Sequence, residues 1–189
     1  MPDFSDLFQH HNSLPVISEF KIFIFNRSNI TPAITLMIII DFEDKYAAAF
    51  KQLNLEWLQQ YQLTEAHDLE ILNNPEGTII APGGCIFLAM EDGVVAGCAG
   101  LMKVTDDEYE LVKMTVAPAF QGRGFSKLLL AQCLEAAKQR GAKTISLLSN
   151  HQLETAIHLY KRFGFIHVPV GKSHFELADV KMILQIPAE

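Results

Sequence analysis

Residues Val116 to Leu130 read Val-Ala-Pro-Ala-Phe-Gln-Gly-Arg-Gly-Phe-Ser-Lys-Leu-Leu-Leu. The pattern is the end of a strand, a short glycine-bearing loop and then an apolar helix. A chain that makes this turn brings the backbone N–H groups of Gln121 to Ser126 to the mouth of the helix. Such a mouth has unpaired donors and a partial positive charge, so it suits a phosphate or pyrophosphate. Gly122 and Gly124 permit positive φ and let a ligand come close to the backbone. No basic cluster is needed for this anion site.

The pattern around the loop alternates between the two regular periods. Tyr46, Ala49, Phe50, Leu53, Trp57 and Leu58 recur at helical spacing within Asp44 to Tyr61. A second helix fits Thr64 to Leu72, with Thr64 as its cap and His67 or Asp68 in its first turn. Asn73 to Gly77 ends it. Thr78-Ile79-Ile80 then reads as the start of a strand that Gly83-Gly84 interrupts and Cys85 to Met90 resumes. Strands follow over Val94 to Val104 and Tyr109 to Val116, with turns at Glu91-Asp92-Gly93 and Asp106-Asp107. The glycine loop leads to a helix as far as Arg140, with Gly141 ending it. Lys143 to Leu148 is a strand and Glu154 to Phe163 a helix stopped at Gly164. Phe165 to Val170 and Phe175 to Ile186 close the chain as strands. Hairpins first and alternating elements later indicate a mixed α/β (α+β) layer fold.

Residues 1–36 carry no comparable period. Met37 opens Ile38-Ile39-Ile40-Asp41-Phe42, a β-branched run that reads as the first core strand. The expected organisation is an extension over 1–36 and one domain over 37–189. Phe20 to Phe25 and Ile34 to Ile40 are apolar, but each is too short to span a bilayer, and Asn26 to Pro32 separate them. No signal-peptide order is visible, which points to the cytoplasm.

The net charge is −7, which disfavours nucleic acid and anionic membrane as partners. Cys85, Cys98 and Cys133 sit in apolar surroundings without metal-ligand spacing, and read as buried thiols in a reducing compartment. His151 and His158 are seven apart, the wrong spacing for a helical ligand pair. His10-His11 is a weak candidate. No metal is expected.

Downstream of the loop stand Asn150 at a strand end, then Ala156, Tyr160 and Phe163-Gly164-Phe165. Together with Gln121-Gly122-Arg123-Gly124-Phe125-Ser126 these resemble the GNAT superfamily of acyl-CoA-dependent N-acyltransferases. The resemblance covers roughly 37–186 and is strongest from 109 to 166. Ser126 departs from the small Gly or Ala of the family loop; serine still keeps the backbone close, and its hydroxyl can cap the helix or meet a phosphate. The resemblance implies a splayed central sheet flanked by helices, acetyl-CoA as cosubstrate and an amine acceptor. A homodimer is common in the family.

The resemblance also distributes roles. Backbone N–H groups from Gln121, Gly122, Arg123, Gly124, Phe125 and Ser126 would hold the pyrophosphate. The strand edge at Met114 and Val116 would pair with the pantetheine arm, and an N–H there would polarise the thioester carbonyl. Tyr160 is either a core tyrosine or the general acid for the leaving thiolate; its place before Gly164-Phe165 favours the acid. Asn150 caps the next helix, contacts pantetheine, or does both. Glu110 falls where one branch of the superfamily carries a general-base glutamate. Alternation along Tyr109 to Val116 would put Glu110, Val112, Met114 and Val116 on one face, with burial raising the Glu110 pKa. Its rival readings are an outer-face carboxylate and a water chain. Lys113 reads as a solvated strand residue, and Arg123 faces solvent or a phosphate. His174 is a fallback base. Trp57 and Tyr61 would shape the acceptor pocket.

The expected activity is acetyl transfer from acetyl-CoA to the amine of a small molecule, a peptide N-terminus or a lysine, by direct attack in a ternary complex. The alternatives are a non-catalytic acyl-CoA sensor and an interaction module built on the same fold.

Overall fold

A computed structural model describes residues 21–26 and 34–187, with side chains for 37–187. His10-His11 and Arg27 to Pro32 lie outside the described residues. Among the described residues, fifteen regular or helical elements fold around one eight-stranded sheet. The strands are β1 (Lys21–Asn26), β2 (Ile34–Asp41), β3 (Cys85–Glu91), β4 (Val94–Lys103), β5 (Glu108–Val116), β6 (Thr144–Ser149), β7 (Ile166–Val168) and β8 (Val180–Gln185). Their order across the sheet is β1-β2-β3-β4-β5-β6-β8-β7. β5 and β6 are parallel; every other neighbouring pair is antiparallel. The mixed, helix-flanked sheet is the expected architecture.

Four α-helices cover the sheet: α1 (Ala47–Gln60), α2 (Ala66–Asn73), α3 (Phe125–Gln139) and α4 (Glu154–Arg162). Strand alternation divides the core into two layers. Ile39, Phe87, Leu101, Tyr109 and Leu111 pack with Phe125, Leu129 and Cys133 of α3 and with Ile157 and Tyr160 of α4. On the other face Ile40, Ile86, Leu88 and Cys98 pack with Phe50, Leu53 and Leu58 of α1 and with Ile71 and Leu72 of α2. The central strands are therefore apolar on both faces, and each fully buried Leu or Ile contributes roughly 1.5–3 kcal/mol.

Several local expectations shift. β1 and the first residues of β2 form ladder pairs across the Met37 boundary, because the β-favourable Ile34-Thr35-Leu36 continues into the run that follows. The boundary drawn at Met37 thus falls inside β2. Thr78-Ile79-Ile80 is not a strand. It belongs to a wide helical turn, Glu76–Ile80, closed by the Ala81 N–H on the Glu76 carbonyl at 2.8 Å. Ile79 is wholly buried there, so burial against β4 overrides its strand propensity. The cap of α2 is Glu65, not Thr64, and its N–H donates to Asp68 Oδ2 at 2.8 Å. The last two strands shorten to Ile166–Val168 and Val180–Gln185, and Phe175 to Asp179 is irregular.

Candidate active site

The site begins where the sheet comes apart. β5 and β6 pair only from Glu108↔Thr144 to Leu111↔Leu147. Beyond Leu111 the strands diverge, and β5 runs on to Val116 with its β6 side open. Ala117 donates its N–H to the Ala96 carbonyl on the β4 side at 2.9 Å. Donors alternate sides along a strand. The N–H groups of Met114 and Val116 therefore point into the gap. Unpaired strand groups of this kind need a ligand or water.

A bulge in β5 reorganises its faces. Gly100↔Val112 is followed by Cys98↔Thr115, so β5 carries one extra residue, and Lys113 adopts φ 52. The expected single face for Glu110, Val112, Met114 and Val116 does not exist. Glu110 and Val112 face the α1/α2 layer, where Val112 is core. Met114 and Val116 pack on the α3/α4 layer. A bulged residue shifts the two-residue alternation by one place, and that is the cause.

The glycine loop lies at the end of this gap. Gly122 has φ 73 and Gly124 φ 92, and a Cβ built on either would meet nothing within 4 Å. Both positions thus require glycine for conformation, and both leave open space beside the backbone. The N–H groups of Lys127 and Leu128 bond to the Gly124 carbonyl at 3.0 and 3.2 Å. Those of Gly122 through Ser126 have no backbone acceptor among the described residues. The N-cap of α3 is Gly124, and no side-chain bond caps the helix start. This donor set has the chemistry of an anion cradle, but Gln121, expected to supply an N–H to it, donates that N–H to the Pro118 carbonyl at 3.3 Å instead. Gln121 Nε2 donates to the Val116 carbonyl at 3.1 Å, which ties the loop to β5. Arg123 turns away: its guanidinium pairs with Glu91 and lies over the Phe120 ring, 5.2 Å from the centroid.

A cleft of about 740 Å³ joins these parts. Met114, Val116, Gln121, Gly122, Gly124, Phe125, Ser126, Asn150, Glu110 and Tyr160 all line it, and the Arg123 side chain does not. Tyr160 enters from the α3/α4 face. It is 8% exposed, and its hydroxyl approaches Met114 Sδ at 4.0 Å. Burial, and then the nearby Cys133, raises its pKa, so the hydroxyl keeps its proton. Glu110 enters from the opposite face. Burial is the main cause that raises its pKa, and Lys181 opposes it. Asn150 spends its side chain locally: Oδ1 accepts the Gln152 N–H at 3.0 Å and Nδ2 donates to the Leu177 carbonyl at 2.8 Å. These bonds close the turn before α4 and are not a helix cap: the N-cap of α4 is Leu153, and no side chain caps it.

The other end of the cleft holds Trp57, Tyr61, Leu63, Glu65, Asp68, Lys113 and Phe175. Trp57 and Tyr61 stand together, their rings 5.1 Å apart. Lys113 is not a solvated strand residue. It forms an ion pair with Asp68, with side chains 7% and 4% exposed, and lies 5.2 Å from the Phe175 ring centre. The Glu65 carboxylate accepts the N–H groups of Glu176 and Leu177 at 2.8 and 3.0 Å. The sequence placed Asp68 in the first turn of α2, but its pairing with Lys113 and the contacts of Glu65 and Phe175 carried no local signal, since those partners are remote in the chain. His174 stacks near His67, 5.6 Å between ring centres, and does not line the cleft.

The thiols offer no nucleophile. Burial pushes Cys85 up to about 11 and Cys98 to about 12, and Cys133 well above its ordinary value. A neutral buried thiol is a poor attacking group.

Residues 46–165 match the acetyltransferase (GNAT) family. The chain is 31% identical over 110 residues to an uncharacterized N-acetyltransferase of Escherichia coli, YjgM, over 56% of this chain and 66% of that protein. The match thus spans about two thirds of that relative's length. A GNAT-family acetyltransferase of Staphylococcus aureus superposes with a TM-score of 0.73 at 20% identity, covering 79% of this chain and 98% of the other. The yncA protein of Salmonella typhimurium, solved with its cofactor acetyl-CoA, superposes with a TM-score of 0.67 at 21% identity, covering 81% and 95%. At these identities the structural likeness speaks to the fold alone.

Proposed function

This chain belongs to the GNAT acetyltransferase family, and on that premise we propose that it moves the acetyl group of acetyl-CoA onto a primary amine within a ternary complex. One observation carries the reading. The gap beyond Leu111 opens the sheet from face to face, so Glu110 and Tyr160 line one cleft from opposite sides.

The pyrophosphate lies against the open N–H groups of Gly122 to Ser126, where the helix start favours negative charge. The exposed edge at Met114 and Val116 takes the pantetheine arm by main-chain bonds. The amine enters from the Trp57 and Tyr61 end. Its nitrogen bonds to the thioester carbon as the carbon–sulfur bond breaks. Glu110 accepts the amine proton, directly or through one water. Val116 N–H donates to the oxygen on which charge develops. Tyr160 donates its proton to the departing sulfur, and solvent restores it. The raised pKa of Glu110 suits a carboxylate that must take up a proton. The two side-chain bonds of Asn150 hold the β6–α4 corner beside the arm.

The test is thiol release by the purified full chain given acetyl-CoA and a panel of small amines, N-terminal peptides and lysine peptides. Amine-dependent release is the expected result. CoA binding without release for any amine would contradict transfer and support an acyl-CoA sensor.

A further inference from the structure

Glu91 is a carboxylate that the transfer reaction does not use. It ends β3, on the strand that leads into the Asp92-Gly93 turn, and its side chain is 6% exposed. One oxygen, Oε2, pairs with Arg123 Nη1. The other, Oε1, is buried with no partner. A half-satisfied buried carboxylate is costly, so its one bond must matter to the fold or to the site.

What that bond holds is the centre of the glycine loop. Arg123 lies between Gly122 and Gly124, whose left-handed conformations turn the backbone sharply on either side of it. The N–H groups from Gly122 to Ser126 have no backbone acceptor among the described residues, and clustered amide dipoles of this kind repel one another until an anion arrives. A loop of this kind needs tethers. Gln121 supplies one, to the Val116 carbonyl on β5. Arg123 supplies the other, to Glu91 on β3, and its guanidinium also rests on Phe120. The two tethers run to different strands, and they leave the loop's main chain, not the Arg123 side chain, facing the cleft.

We propose that Glu91 is a positioning residue for the acyl donor: by holding Arg123 outward it keeps the N–H groups of the Gly122–Ser126 segment aimed at the donor's pyrophosphate. The inference rests on the transferase reading of the cleft. It assigns Arg123 no direct phosphate contact, and it gives the Glu91 charge a purpose outside the reacting centre.

The test is calorimetric titration of the full chain with CoA, beside steady-state kinetics with acetyl-CoA. Glu91→Gln keeps the shape and removes the charge. It is expected to weaken CoA binding roughly 5- to 20-fold and to raise the acetyl-CoA KM by a similar factor. The kcat should change less than KM, and the amine KM should stay unchanged. Arg123→Met should show the same split. The double variant should bind CoA no more weakly than the worse single variant. A residue that served only stability would lower the melting temperature without this split. If Glu91→Gln does not fold, the half-exposed Arg123→Met carries the test. CoA binding equal to or tighter than wild type in these variants overturns the inference and leaves the transferase reading standing. Absence of CoA binding by the wild type overturns both.

Discussion

Lys113 and Asp68 form a buried ion pair that ties the bulge of β5 to the first turn of α2. The bulge puts Lys113 at φ 52, an uncommon conformation for a residue with a side chain. Asp68 holds it there, and Asp68 also accepts the Glu65 N–H at the helix start. Removing one partner leaves the other buried and unpaired. Asp68→Asn is expected to lose about 3–5 kcal/mol of stability, read from the denaturant midpoint at constant slope. Asp68→Asn combined with Lys113→Met should recover much of that loss. A double variant as unstable as the sum of the two singles would contradict the pairing.

In the proposed role, Glu110 is expected to make stability and activity depend on pH in opposite senses. Its folded pKa lies above the ordinary 4.5, chiefly through burial. The protonated form is therefore the one the fold favours. That contribution is fully present below 4.5 and is lost as pH rises through the folded value. Glu110→Gln stays neutral throughout, so its melting temperature should gain on wild type as pH rises above 4.5. Catalysis needs the opposite form. The acidic limb of kcat/KM should lie above the usual carboxylate range and should vanish in the variant. A melting-temperature difference independent of pH would remove Glu110 from this role.

Tyr160→Phe should lower kcat by roughly 10- to 10⁴-fold. Its hydroxyl has only the long approach to Met114 Sδ at 4.0 Å, so stability should change by under about 1 kcal/mol. Acetyl-CoA affinity should hold. An unchanged kcat would assign the tyrosine to the core alone.

Gly124→Ala separates conformation from binding. At φ 92 an alanine is strained by about 1–2 kcal/mol, although no atom would touch its Cβ. The stability loss should stay near that figure. The acetyl-CoA KM should rise by about 10-fold or more, because the methyl group would occupy the space beside the anion cradle. Wild-type KM in a folded variant would show that the loop face is not the donor site.

The proposed donor half of the site is legible because its signals are local. The Gly122 and Gly124 positions, the apolar start of α3 and the Asn150-to-Phe165 spacing all lie within short windows, and each follows from chain stiffness or helix geometry. The other half depends on contacts between distant residues. Glu65 meets Glu176 and Leu177, and Arg123 meets Glu91, pairs that no window contains. The bulge was hidden for another reason: Lys113 carries none of the glycine signal that usually marks positive φ, so strict alternation put Met114 and Val116 on the wrong face. Thr78-Ile79-Ile80 misled through propensity, since burial of Ile79 under β4 decided its conformation. The α1 stripe and α3 ended where spacing and Gly141 placed them, because a helix boundary is set by its own neighbours.

In the proposed function, acetyl-CoA binds in the gap between β5 and β6, with the glycine loop at its end. Amide chemical shifts of the full chain, followed by NMR during titration with CoA, test it residue by residue. The N–H signals of Met114, Val116, Gly122, Gly124, Phe125 and Ser126 are expected to move together and to saturate together. Binding that leaves these signals in place while others move would contradict the account.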